Sequence, residues 1–209
     1  LSLVGSEMCI RDSTKADAVS AWTEESEGIY KASYTAHLIG DKLTAQLTMP
    51  GWQTKHSDAF SIAGDKDTAK IAAMQITANN AVARRDHNTV AVTVRDVHQN
   101  LLQGQNVTFT VVNGAAVFAD PNGGIVTTDK DGIASVNLAS DQAVNSLIKA
   151  ETNGSSQSVE VSFITGDISQ LTSTIKTDDV SYTAGGKIKV SVTLMDCLLY
   201  TSDAADEED

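Results

Sequence analysis

The residues that could carry catalysis or bind a metal are few in this sequence, and they are not spaced for either task. Four histidines are present, none with a partner at the spacing of zinc-binding pairs: His37, His56, His87 and His98. His98 lies in a polar loop segment and His87 precedes a strand pattern, so we expect solvated loop positions. The sequence has no G-x-S-x-G nucleophile turn and no phosphate-binding glycine loop. We therefore predict no catalytic, cofactor-binding or metal-binding residue; a triad assembled from distant residues is the alternative.

Carboxylates could instead hold calcium, and two groups are candidates. The segment Asp129-Lys130-Asp131-Gly132 resembles the start of a calcium loop but lacks the D-x-D-x-D-G spacing and the distal Glu, so it predicts a hairpin turn. Asp65, Asp67 and Asp167 lie where successive domains are expected to join. A calcium bridge there is one hypothesis, and plain solvation of the linkers is the favoured one.

Charge and aromatic content narrow the possible partners. With 15 basic and 27 acidic residues the chain carries a net charge of -12, and Arg84-Arg85 is its one basic pair, so nucleic acid is not an expected partner. No apolar run reaches the length of a membrane-spanning helix. Trp22 and Trp52 could stack on a sugar or form an interface, but a position in a core or junction is favoured.

The elements that would position these residues are strands. Thr (22), Val (19) and Ile (13) make up about a quarter of the chain, against two Pro, which favours an all-β protein. Apolar and polar residues alternate with a period of two in four segments, 90–95, 107–111, 134–138 and 159–163. Asn-Gly or Asp-Gly pairs separate them, at 113–114, 122–123, 131–132 and 153–154. Short alternating strands with frequent turns predict a two-sheet sandwich.

The sequence also repeats with a period of about one hundred residues. Three anchors recur 104, 102 and 100 residues apart, respectively: Glu27-Gly28-Ile29 and Asp131-Gly132-Ile133, Ala63-Gly64-Asp65 and Thr165-Gly166-Asp167, and Thr93–Asp96 and Thr193–Asp196. Nearly constant spacing is typical of tandem domains. We predict the C-terminal part of one repeat at 14–65, a complete repeat at 66–166 and the N-terminal part of a third at 167–196.

The two ends differ from this pattern. Met8–Ser13 and Cys197–Ser202 can be encoded by opposite strands of one DNA word, and both resemble translated sequencing adaptors. We therefore predict artefactual, disordered tails at 1–13 and 197–209 and leave them out of the fold. A natural, solvated acidic tail at 203–209 is the alternative.

The loop after the first alternating strand of the complete repeat carries a family pattern. Val94, Asp96, Asn100, Leu102, Gly104, Val107 and Phe109 fit the register V-x-D-x-x-G-N-P-V-x-G-x-x-V-x-F, and Thr128-Asp129, Gly132, Ala134, Val136 and Leu138 follow. The repeat resembles the group 1 bacterial immunoglobulin-like (Big-1) domains of intimin and invasin, inverse-autotransporter adhesins of Gram-negative bacteria. It departs from the pattern at Gln99 and Leu101, where Gly and Pro are usual. In physical terms Asp96 and Asn100 are turn formers that bond their own backbone.

The resemblance implies tandem Ig-like sandwiches in the stalk of a bacterial surface adhesin. The stalk would hold a binding tip away from the outer membrane, so an extracellular location is expected. Partners would be the neighbouring repeats, with a host or bacterial receptor for the full-length parent. An accessory module of a secreted carbohydrate-active enzyme or phage-tail protein is the alternative function, because a fold alone does not fix function.

Overall fold

The computed structural model describes residues 7–10, 16–18, 22–48 and 51–198. Before residue 66 these residues form short strands in separate pairings, with β1–β7–β8 as one sheet and β2–β5, β3–β4 and β6–β9 as two-stranded ribbons. The strands are β1 Glu7–Ile10, β2 Ala16–Ala18, β3 Thr23–Ser26, β4 Ile29–Lys31, β5 Tyr34–Ala36, β6 Gly40–Leu43, β7 Ala45–Thr48, β8 Lys55–His56 and β9 Phe60–Ile62.

The central part begins with a 3-10 turn at Lys66–Thr68. Its strands are β10 Lys70–Ala78, β11 Ala81–Val82, β12 Asn88–Arg95, β13 Asn106–Asn113, β14 Ala116–Phe118, β15 Ile125–Thr127, β16 Ile133–Ser140, β17 Asn145–Thr152 and β18 Ser155–Ile164. They form a four-stranded sheet in the order β10-β12-β16-β14 and a five-stranded sheet in the order β11-β18-β17-β13-β15. All neighbours are antiparallel except β11 and β18. The predicted all-β sandwich is confirmed.

The core lies between the two sheets and follows the alternation in the sequence. In β12 every second side chain is buried, including Val90, Val92 and Val94, while the residues between them are half-buried. The facing sheet contributes Val107 and Phe109. The predicted strands at 90–95, 107–111, 134–138 and 159–163 lie within β12, β13, β16 and β18 and are confirmed.

One buried polar side chain ties the two sheets together. Asn88 starts β12 and is fully buried. Its Oδ1 accepts the Ala81 N–H at 3.0 Å and its Nδ2 donates to the Ser162 carbonyl at 2.8 Å, both in the other sheet. Both ends of the amide are therefore satisfied, as a buried polar group requires.

The sandwich is followed by a hairpin of β19 Thr174–Thr177 and β20 Val190–Thr193. Its apolar side chains face solvent, since Ile175 is 71% exposed and Val192 is 59% exposed. Within the predicted tails, the structure describes strand β1, which pairs with β7, and the turn residues 197 and 198. The remaining residues of the predicted tails lie outside the described residues, and an adaptor origin stays a prediction.

Candidate functional site at the junctions between repeats

The loop after β12 is built around two buried polar side chains. Asp96 is 3% exposed and Asn100 is 7% exposed. Asp96 Oδ1 accepts the N–H groups of His98 at 2.9 Å and Asn100 at 2.8 Å, and Asp96 Oδ2 accepts Asn100 Nδ2 at 2.9 Å. The prediction that the side chain bonds the backbone of its own turn is confirmed for Asp96. The Asn100 side chain instead bonds the Asp96 carboxylate and the backbone of residues 37 and 39. The carboxylate thus organises the loop from inside.

The same two side chains also hold the segment that precedes the sandwich. Asp96 Oδ2 accepts the Asp65 N–H at 3.1 Å, Asn100 Oδ1 accepts the Ile39 N–H at 3.1 Å, and Asn100 Nδ2 donates to the His37 carbonyl at 2.7 Å. We call this set of bonds, from Asp96 and Asn100 to residues 37, 39 and 65, the clamp. Sequence reasoning missed it, because the partners lie 31, 61 and 63 residues away along the chain.

Hydrogen bonds, rather than a nearby cation, lower the pKa of the Asp96 carboxyl group in the clamp. Burial alone would raise the pKa of Asp96, but hydrogen bonds from the Asn100 side chain and from the N–H groups of Asn100, Asp65 and His98 hold that pKa below its ordinary value. Asp96 therefore stays ionised at neutral pH, and its charge strengthens each bond that it accepts.

The linker that leads into the sandwich, residues 65–68, is held by several hydrogen bonds. Asp65 Oδ1 accepts the Asp67 N–H at 3.1 Å and so caps the 3-10 turn. Thr68 Oγ1 donates to the Asp65 carbonyl at 3.2 Å and accepts the Val97 N–H at 3.2 Å. Asn153 Nδ2 donates to the Asp67 carbonyl. The linker is thus attached to the sandwich at Asp65, Asp67 and Thr68.

Close packing accompanies these bonds at Gly64. A Cβ built on Gly64 would lie 2.5 Å from Leu102 Cδ2, nearer than two carbons approach. The backbone of the linker therefore passes directly over the apolar side chain that follows the loop. Only glycine fits this path without a shift of Leu102.

The second junction repeats the first. Asp196, one hundred residues after Asp96, is 1% exposed, its Oδ2 accepts the Gly166 N–H at 2.9 Å, and its Oδ1 accepts the Leu198 N–H at 2.8 Å. Arg84 Nη1 donates to the Leu198 carbonyl at 3.2 Å. A buried aspartate thus receives the end of the preceding segment at both positions, which agrees with the repeat in the sequence.

Comparison with known proteins identifies the sandwich. Residues 71–164 match the family model described as "Bacterial Ig-like domain (group 1)". These residues are therefore similar to a group 1 Ig-like domain. The predicted resemblance to that family is confirmed.

Longer stretches of the chain are similar to bacterial adhesins. Over 185 residues, 87% of this chain, it is 32% identical to the inverse autotransporter adhesin YeeJ of Escherichia coli (strain K12), and it spans 8% of that relative's length. The structure of the Escherichia coli adhesin FdeC superposes with a TM-score of 0.59 at 17% identity, covering 92% of this chain and 62% of that one. The structure of Yersinia pseudotuberculosis InvD superposes with a TM-score of 0.55 at 16% sequence identity, covering 95% of this chain and 62% of that one. The two structural matches show a shared fold.

The departures from the family pattern leave the loop of the Ig-like domain intact. Gln99, at the position where glycine is usual, has a φ of 69°, in the left-handed region that favours glycine. Leu101, at the position of the usual proline, pairs with Arg95 across the loop. The family's glycine is therefore explained by backbone geometry, and glutamine adopts that geometry here at a cost.

The spacing of the histidines in the sequence suggested that they would be far apart, but two of them are in contact. The rings of His37 and His98 face each other across the first junction, with centroids 5.0 Å apart and planes inclined at 60°. His98 is exposed and His37 is half-buried. His87 and His98 are both exposed, in agreement with the expectation of solvated loop positions, and His56 is exposed as well. No signal in the sequence links His37 to His98, because the contact depends on how the segment before residue 66 packs against the sandwich.

Two of the candidate calcium ligands, Asp65 and Asp129, bond to backbone N–H groups. Asp129 Oδ1 accepts the N–H groups of Asp131 at 2.9 Å and Ile133 at 3.0 Å, and Gly132 has a φ of 68°, so a tight turn forms here. The prediction of a hairpin is wrong, because this turn joins β15 to β16 and these two strands lie in different sheets. Across the described ranges, no cluster of three or more His, Cys, Asp or Glu side chains is arranged to hold a metal ion. The calcium bridge at Asp65, Asp67 and Asp167 gains no support from this geometry.

The remaining candidates fall at the surface. Arg85 pairs with Asp86 at 3.0 Å, whereas Arg84 bonds at the second junction. Trp22 is half-buried, but Trp52 is 60% exposed, so a core position is wrong for Trp52 and a junction position stays a prediction. Among the described residues, no helix is long and apolar enough to cross a membrane.

The outer face of the five-stranded sheet carries a shallow cavity whose lining includes one titratable side chain. Its volume is about 370 Å³, and it is lined by Asn106, Thr108, Thr110, Glu151, Thr152 and Asn153. The one titratable side chain among them, Glu151, pairs with Lys149 at 2.7 Å. A single paired carboxylate offers no acid–base couple for hydrolysis.

Proposed function

We propose that this chain is a segment of the extracellular stalk of a bacterial surface adhesin, in which the clamp sets the orientation of successive Ig-like repeats. The observation that carries the proposal is the double use of Asp96 and Asn100, which form their own loop and also hold the preceding repeat. The similarity to adhesins over most of the chain supports the context. On this proposal the repeats are 14–65, 66–166 and 167–196, and any receptor contact belongs to other parts of the full-length protein.

The clamp is suited to a stalk because it restrains two points at once. Asp96 holds the linker at Asp65, and Asn100 holds a separate loop of the preceding repeat at His37 and Ile39. One attachment would leave a hinge, whereas two attachments at different places oppose bending and rotation together. A chain of such junctions keeps its length under lateral load, which is what a spacer requires.

The test measures the distance between two repeats in the whole chain. Spin labels are placed at two exposed turn positions, Glu27→Cys and Asn122→Cys, after Cys9 and Cys197 have been changed to Ser. Electron–electron double resonance then gives the distribution of distances between the first and the central repeat. We expect one narrow distribution for the otherwise unaltered chain.

Variants of the clamp decide the outcome. Asp96→Ala combined with Asn100→Ala should broaden the distribution at least twofold, whereas the matched change of an exposed carboxylate, Asp131→Ala, should leave it unchanged. A broad distribution in the unaltered chain, or a narrow one that survives loss of the clamp, would contradict the proposed rigid spacer.

A further inference from the structure

The hairpin of β19 and β20 is built like the first two strands of the four-stranded sheet. Val192 pairs with Ile175 in β19, as Val92 pairs with Met74 in β10. Three apolar side chains in and next to β20 lie one hundred residues after the buried valines of β12: Val190, Val192 and Leu194 after Val90, Val92 and Val94. We call Val190, Val192 and Leu194 the hairpin face.

The hairpin face lies open, whereas its counterpart in the sandwich is buried. The three valines of β12 are at most 1% exposed, because β16 pairs with β12 and the five-stranded sheet packs over it. Val190 is 56% exposed, Val192 is 59% exposed and Leu194 is 40% exposed. Ile168 and Ile175 join the last two of these in lining a groove of about 420 Å³. In the part of the chain that the structure describes, half of a sandwich core is thus present without strands to cover it.

A strand that could pair with the hairpin lies in the segment before residue 66. In the sandwich, Thr93 of β12 lies opposite Ile133 of β16. The repeat aligns Thr93 with Thr193 in β20, and it aligns Ile133 with Ile29, the first residue of β4. Among the described strands β4 pairs with β3 alone. A strand with one neighbour can accept a second on its other edge.

The side chains that follow Ile29 are less buried than their counterparts in the sandwich. Three positions that are each 104 residues before a fully buried side chain of β16 are only half-buried: Tyr30, Ala32 and Tyr34, which correspond to Ala134, Val136 and Leu138. We call Tyr30, Ala32 and Tyr34 the β4 face. The molecule therefore carries two incomplete apolar faces whose counterparts, on β12 and β16, are neighbours in one sheet.

The two faces are attached at opposite ends of the sandwich. The segment before residue 66 bonds through Asp65 to Asp96, which follows β12, whereas the segment after residue 166 bonds through Leu198 to Arg84, which precedes β12. Strand β12 has eight residues and so spans about 26 Å. A second copy of the chain therefore supplies the complementary face more readily than the same copy.

We propose that β20 of one copy of this chain pairs with β4 of a second copy, so that the hairpin face and the β4 face complete one sandwich core between the copies. The inference rests on the proposed division into repeats, in which 167–196 and 14–65 are the N-terminal and C-terminal parts of a repeat. Addition of a strand to an open edge supplies backbone hydrogen bonds, and the two apolar faces supply the core. Because the two faces differ, the contact is head-to-tail, and the copies join end to end.

Disulfide trapping in the whole chain tests the register of this pairing. One variant carries Ile29→Cys and the other Thr193→Cys, both after Cys9→Ser and Cys197→Ser. Residues directly opposite each other in an antiparallel pair have Cβ atoms about 4.5–5.5 Å apart, close to disulfide reach, whereas Val190 lies three residues away, about 10 Å along the strand. We expect Ile29→Cys to form the mixed disulfide at least about tenfold faster with Thr193→Cys than with the control variant Val190→Cys.

The mass of the assembly in solution tests the apolar faces. Light scattering should show an average mass that rises from that of one chain to that of a dimer or more between about 1 and about 100 µM. Val192→Asp places a charge on the hairpin face and should keep the chain monomeric over this range. The matched variant Val117→Asp changes a valine of the same exposure, 59%, on β14 and should associate like the unaltered chain. Since Val192 lies outside the sandwich, an unchanged circular dichroism spectrum should show that Val192→Asp is folded.

The outcomes separate this pairing from the stalk itself. The pairing is overturned by a chain that stays monomeric throughout the concentration range, by association that persists in Val192→Asp, or by equal rates of disulfide formation in the two mixtures. It is also overturned if Thr193→Cys chains cross-link to each other faster than to Ile29→Cys, since hairpin then lies against hairpin. Each of these results leaves the rigid stalk standing, because the spin-label distances across the clamp are measured within one chain. A broad distance distribution, in turn, overturns the stalk without bearing on association between copies.

Discussion

Replacement of Asp96 is the most severe test of the clamp. Its carboxylate accepts four hydrogen bonds, from the N–H groups of Asp65, His98 and Asn100 and from the Asn100 side chain. Bonds to a charged acceptor contribute about 1.5–3 kcal/mol each, but they share one group and do not add. We expect Asp96→Ala to lower the free energy of unfolding by about 3 kcal/mol. Asp96→Asn keeps the shape but turns a donor toward other donors, and it should cost about 2 kcal/mol.

Urea unfolding can assign this loss to the right part of the chain. Residues 66–166 contain neither Trp nor Tyr, whereas Trp22 and Trp52 both precede the sandwich. Tryptophan fluorescence therefore follows only the part of the chain before the sandwich, whereas far-ultraviolet circular dichroism follows the strands of the whole chain. A change in circular dichroism that fluorescence does not share is assigned to the strands after residue 66, most of which form the sandwich. With a urea dependence of about 1–3 kcal/mol per molar, a loss of 3 kcal/mol lowers the circular dichroism midpoint by about 1–3 M.

Acid provides an independent check on the same residue. A carboxylate with a depressed folded-state pKa stabilises the protein above its unfolded-state value of about 3.9, and this contribution is lost as the pH falls through the lower folded-state value. The difference between Asp96→Ala and the unaltered chain should therefore be constant from pH 5 to 7 and shrink only below about pH 4. If Asp96→Ala unfolds within 0.5 kcal/mol of the control Asp131→Ala, a range typical of surface substitutions, the reasoning is refuted.

Three further substitutions test the loop, the packing and the core, each by the same unfolding measurement. Gln99→Gly should stabilise the chain by about 0.5–1 kcal/mol by relieving a left-handed backbone, and Gln99→Ala should give no such gain. Gly124→Ala should destabilise the sandwich by about 3 kcal/mol, because a Cβ would lie 2.1 Å from the Phe109 carbonyl oxygen; a neutral result would show that β15 is free to move. Asn88→Ala should cost about 2–4 kcal/mol by leaving a buried donor and acceptor without partners, whereas exposed Asn122→Ala should cost less than 0.5.

The sequence allows strands to be predicted where the apolar alternation is uninterrupted. In β12 the valines at every second position mark the buried face without ambiguity. Strand β10 could not be recognised in the same way, since its register shifts between Ile71 and Ala73 and again between Ile76 and Ala78. Each bulge moves the following side chains to the other face, and the period of two is lost.

Strand β17 could not be predicted from the apolar alternation either, but for a different reason. Two of its inward positions are polar, Ser146 and Thr152. Ser146 Oγ accepts the N–H groups of Ala115 and Ala116 at 3.1 Å, and Thr152 Oγ1 donates to the Asn106 carbonyl at 2.7 Å. These hydroxyls belong in the core because they satisfy the backbone of other strands. A pattern of apolar residues cannot show such a role.

The junctions show how far a repeat in the sequence can inform function. The repeat aligns Asp96 with Asp196, and a turn-forming role for one residue can be derived from its neighbours alone. The second role of each aspartate is to bind the backbone of the preceding segment, at Asp65 for Asp96 and at Gly166 for Asp196. These N–H groups reach the carboxylates only when consecutive segments fold against each other. Each aspartate receives the last residues of the segment before it. On the proposed division into repeats, every repeat that carries this aspartate contributes half of a junction, and the repeat itself would specify how consecutive segments of the proposed stalk join.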